Sequence, residues 1–177
     1  MMVMSVFWLL GIGLIVAQTT LLQFLPSWIG RPDFVFILVA FCAYRFAWIP
    51  GIALVFTLGW LMDVVAGIHL GFYPLMCLLT FTALKMLSSR NPIKETTYQI
   101  PLVGFSYFLA QMLFYFIYSL VLPEVLPEWS WGQTLQRTII VFLSAIPAFL
   151  LFHSLHGYLE KRRLRTKPPR RGPRRRA

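Results

Sequence analysis

The feature that most limits what this chain can become is an uncharged run from Pro101 to Leu122, reading PLVGFSYFLAQMLFYFIYSLVL. About 20 consecutive apolar residues are what an α-helix needs to cross the roughly 30 Å hydrocarbon core of a bilayer. Other apolar segments accompany it: Val3 to Leu25, Phe34 to Trp48, Gly51 to Val65, Phe72 to Leu87, and Thr134 to Leu159 with Pro147 as an expected kink. The stretch from Asp33 to Gly67 is too long for one helix, and Pro50-Gly51 is where it is expected to divide. Pro26 to Pro32 supplies turn residues and a Trp suited to a membrane interface. The prediction is an all-α integral membrane protein with six transmembrane helices over residues 1–160.

Composition agrees. Only 12% of the 177 residues are charged and 58% are hydrophobic, with a mean hydropathy of +0.71. Soluble domains carry roughly 25% charged residues. The apolar N-terminus lacks a basic leading region, so a retained first span is expected rather than a cleaved signal.

The net charge of +10 is uneven, because ten of the sixteen Lys and Arg lie from Lys161 onward. The rest of the chain is nearly neutral. Residues 161–177, with Pro168, Pro169 and Pro173, are expected to form a disordered basic tail. A segment this basic stays cytoplasmic. Lys161, Arg162, Arg163 and Arg165 are therefore expected to meet anionic lipid or a cytoplasmic partner, and nucleic acid is not expected. Counting back, the loop with Glu124 and Glu128 lies outside and Lys85, Arg90 and Lys94 lie inside. Six spans then put both termini in the cytoplasm, with Arg31 the one dissenting outside charge.

No catalytic constellation, phosphate-binding glycine loop or metal-ligand spacing is present, and neither an enzymatic activity nor a cofactor is expected. Cys42 and Cys77 read as packing residues without a disulfide. His153 and His156, spaced i, i+3, read as packing or interfacial residues, and His69 as a turn residue. Asp63 is the pointed exception in GWLMDVVAGIHLG, since a charge inside a membrane segment is costly. It could hydrogen-bond the backbone of the adjacent turn, pair with a cation from another span or a partner, or bind a transported ion. Gly59, Gly67 and Gly71 fit the first two, because small residues permit close approach of helices and turns.

Two segments, RPDFVFILVAF and GWLMDVVAGIHLGFYPL, resemble the MreD family of bacterial rod shape-determining membrane proteins. The resemblance is carried by Arg31, Pro32 and Asp33, then Gly59, Asp63, Gly67 and Gly71, and covers residues 31 to about 87. It implies a non-enzymatic scaffold of the cell-elongation and peptidoglycan-synthesis machinery in the bacterial inner (cytoplasmic) membrane. Such a scaffold docks the single-span MreC and connects it to RodA, a penicillin-binding protein and the MreB filament. The family is also similar in fold to the S-components of energy-coupling-factor vitamin transporters, which supplies the rival reading of a small-molecule binder. That rival needs several convergent polar groups, for which Gln18, Gln23, Gln111, Tyr107, Tyr115, Asp33 and Asp63 are the available residues.

Overall fold

A computed structural model describes residues 2–20, 32–67, 71–90, 96–121 and 129–165. The elements are α1 (Met2–Thr20), α2 (Phe34–Arg45), α3 (Trp48–Ala66), α4 (Phe72–Arg90), α5 (Thr96–Val121) and α6 (Trp131–Arg165). Five of the six, all but α2, are long and apolar enough to cross a membrane. Among the described residues the architecture is all-helical, that of a membrane protein.

The exception organises the rest. At 12 residues α2 is about 18 Å long, well short of a bilayer core. Its nine consecutive residues Val35 to Ala43 are all buried, so this helix, apolar on every side, is surrounded by protein. Neighbours on α1, α4 and α6 and shorter contacts to α3 and α5 enclose it. Phe41 stacks on Phe7 at 5.6 Å and meets Phe149 edge-on at 5.6 Å, while Phe36 meets Tyr107 at 4.9 Å. Around this axis, α3 packs most extensively on α4, and α5 on α6.

The division between α2 and α3 falls earlier than Pro50-Gly51. Helix α2 ends at Arg45, and Pro50 lies in the first turn of α3. A proline is tolerated there because the first amides of a helix have no intrahelical partner. The Gly51 amide still donates to Ala47 O at 3.0 Å. A second correction concerns the tail: α6 continues through Arg165, so positions 161–165 are helical rather than disordered. Leu159 is buried against the bundle, the following residues are good helix formers, and basic side chains suit a helix C-terminus. The Pro26 to Arg31 turn, Gln23, His69, Lys94, Glu124, Glu128 and the chain beyond Arg165 lie outside the described residues.

Successive helices alternate in direction. One end of the bundle gathers Gln18, Asp33, Asp63 and Tyr73, joined by hydrogen bonds. The other gathers Phe7, Arg45, Lys85, His153 and His156. Both cysteines are buried and free.

Candidate functional site

The site builds outward from Asp33. It follows Pro32 and N-caps α2, its Oδ1 accepting the Phe36 amide at 3.0 Å. A side-chain oxygen here satisfies one of the orphan amides of a helix start. The Tyr73 hydroxyl donates to the same carboxylate, 2.8 Å from Oδ1 and 3.0 Å from Oδ2. From α1, Gln18 Nε2 approaches Oδ1 at 3.5 Å.

Asp63 performs a related task at longer range. It is 6% exposed. Its Oδ2 accepts the Gly71 amide at 2.6 Å and its Oδ1 the Tyr73 amide at 3.3 Å. Those amides open α4, so a carboxylate near the end of α3 caps the following helix, where negative charge also suits the helix dipole. This is the first of the three roles open to Asp63. Its charge satisfies backbone donors of its own chain.

The glycines make that geometry possible. Gly67 closes α3 in the left-handed region at φ 64°, with its amide donating to Asp63 O at 2.9 Å. Gly71 sits at φ 104°. At Gly59 the close approach is interhelical: a Cβ there would lie 2.7 Å from Pro74 Cα. Thus Asp33 and the later Gly59, Asp63, Gly67 and Gly71 come together around the start of α4. Pro32 adjoins the group, and Arg31 lies outside the described residues.

Sequence reasoning missed the residue that joins the two acids. Tyr73 meets Asp63 through its amide and Asp33 through its hydroxyl. Its only signal is a place two residues after the last motif glycine. The opposite end was also missed. Lys85 Nζ donates to Phe46 O at 2.6 Å, and Arg45 Nη2 donates to His153 Nδ1 at 2.8 Å. His156 packs edge-on against Phe7, Phe41 and Phe46 and lies 3.9 Å from Glu160.

Of the polar groups that a ligand pocket would need, Gln18, Asp33 and Asp63 gather at one end of the bundle, where their hydrogen bonds are to groups of the same chain. Tyr107 packs on Phe36 and hydrogen-bonds Gln111, whereas Tyr115 packs on Trp129 at 4.6 Å. A cavity of about 260 Å³ lies elsewhere, between α4 and α5, with Phe72, Leu79, Leu109 and Leu113 among its walls. Its polar side chains are Thr80 and Ser106, and the Ser106 hydroxyl donates to Val103 O at 2.8 Å. Among the described residues no group of three His, Cys, Asp or Glu could hold a metal ion. Of the basic residues after α6's apolar part, Lys161 and Arg162 are exposed, and positions 163 and 165 continue the helix. Chemically, the Asp33–Tyr73–Asp63 arrangement ties helix ends together with strong acceptors.

Comparison with protein families, with curated proteins and with solved structures finds no match to this chain.

Proposed function

We propose that this protein is a non-enzymatic scaffold of the bacterial cell-elongation machinery, in the manner of the MreD proteins its sequence resembles. In this reading the chain crosses the inner membrane six times with both termini in the cytoplasm. Residues flanking α2 complete its crossing, inside the protein rather than against lipid. The Asp33 and Asp63 end faces outward and presents a rigid platform to MreC, which connects to RodA, its penicillin-binding partner and MreB.

The observation that carries the reading is the link through Tyr73. Both segments that bear the resemblance are engaged in shaping one end of the bundle, with carboxylate oxygens facing donors of the same chain. A rigid surface serves a docking protein. A vitamin binder would instead want those polar groups free to face a ligand, and the cavity between α4 and α5 is lined almost wholly by apolar side chains.

The test is affinity purification of the tagged full chain from native membranes, with mass spectrometry of the proteins recovered. An MreC-like protein and elongation synthases are expected. Recovery of paired ATPases with a coupling membrane subunit would replace the scaffold with the S-component reading. Asp63→Ala, if it still inserts, is expected to weaken recovery of the MreC-like protein, by loosening the platform rather than by removing a direct contact.

A further inference from the structure

Helix α6 changes chemistry along a single face. Val141, Ala145, Phe149, Phe152 and Leu159 are buried against the bundle. On the opposite side, Leu143, Leu150, Leu151 and Tyr158 are exposed, the last three by 63%, 68% and 64%. Lys161 and Arg162 follow Tyr158 at the three- and four-residue spacing that keeps neighbours on one helical face, and both are exposed. Position 165 falls on the same stripe. One uninterrupted helix therefore carries, in line, an aliphatic surface, a tyrosine and a pair of cations.

That order matches the layers of a membrane: hydrocarbon, interface and headgroup phosphate. Tyrosine is favoured at the interface because its ring is apolar and its hydroxyl polar. The dimensions agree as well. About 30 Å of helix separates Arg137 from Tyr158, the thickness of a hydrocarbon core. Glu160 lies off this face, 3.9 Å from His156, whose ring packs on Phe7 and Phe41 toward the bundle.

We propose that Tyr158, Lys161 and Arg162 form a headgroup site for an anionic phospholipid, with its acyl chain along Leu150 and Leu151. The helical continuity of α6 is what aligns the cations with the lipid-facing surface. A flexible tail starting at Lys161 would not. The site requires membrane insertion but not the scaffold reading, and the two can fail separately.

Native mass spectrometry of the full chain in detergent, titrated with dioleoyl phosphatidylglycerol or dioleoyl phosphatidylcholine, tests it. The wild type is expected to retain phosphatidylglycerol preferentially. Lys161→Gln with Arg162→Gln is expected to reduce its apparent affinity about tenfold. A charge-matched variant in the tail, Arg174→Gln with Arg175→Gln, is expected to change it by less than about twofold. Equal losses in the two variants, no loss in either, or no preference for the anionic lipid would each overturn the site. Circular dichroism checks that both double variants keep the helix content of the wild type. An acidic peptide displacing phosphatidylglycerol from the wild type but not from the 161/162 variant would reassign the stripe to a protein partner and overturn the lipid assignment.

Discussion

The two ends of the central helix solve the same problem with opposite charges. At the start of α2, Asp33 accepts the Phe36 amide, and beside it Asp63 accepts the amides that open α4. At the finish of α2, Lys85 donates to the Phe46 carbonyl and Arg45 to His153. Helix starts leave amides unpaired and helix ends leave carbonyls unpaired, so carboxylates suit one end and cations the other. The macrodipole reinforces the choice. The difference lies in how deeply each arrangement is built. Asp63 is buried, whereas Lys85 is only half-buried and the Arg45–His153 contact is exposed. The carboxylate end should therefore be the stiff one.

The sharpest test of that asymmetry is Asp63→Ala, which leaves two amides of α4 without their acceptor in a low-dielectric site. A loss of about 3 kcal/mol is expected from unfolding in mixed micelles. A change as small as that of a surface residue would break the comparison. Next, Gly59→Ala forces a methyl against the Pro74 backbone, whereas Gly11→Ala meets only the flexible end of Leu58. The first is expected to lower stability by about 2 kcal/mol and the second by less than half of that. Equal effects would mean that α3 and α4 can separate as readily as α1 and α3.

Two smaller substitutions sharpen the contrast. Tyr73→Phe removes one hydroxyl donor to Asp33 and keeps the amide contact to Asp63, with an expected loss of about 1.5 kcal/mol in the same assay. At the other end, Lys85→Met removes the donor to Phe46 O while retaining an apolar stem, and a loss of about 0.5–1 kcal/mol is expected. If Lys85→Met proved the more damaging, the cationic end would be the structural anchor instead.

Much of this organisation was legible in the sequence because membrane segments have an almost one-dimensional signal. Residues Trp48–Ala66, Phe72–Arg90, Thr96–Val121 and Trp131–Arg165 stand close to where runs of apolar residues put them. The role of Asp63 beside permissive glycines was also readable, as a turn device among three alternatives. Less was legible around α2. FVFILVAFCAYR is apolar throughout, so its sequence does not distinguish a helix in lipid from a short helix wrapped in protein. Pro50 misled for a related reason, since it breaks a helix interior yet fits a helix start. Tyr73 carried no distinguishing signal, because its importance comes from reaching Asp33, forty residues earlier in the chain.

By itself, then, the sequence determined that this is a helical membrane protein, where its long helices run, and that glycines and an aspartate mark the turn before α4. Hydrophobic length and backbone permissiveness are local properties, written residue by residue. Only the tertiary structure decided that α2 is the enclosed axis, that Tyr73 joins Asp33 to Asp63, and that the cations of α6 stand in line with its exposed leucines. Each of those depends on which helix faces meet, and in a chain apolar on nearly every side no single segment encodes its partner.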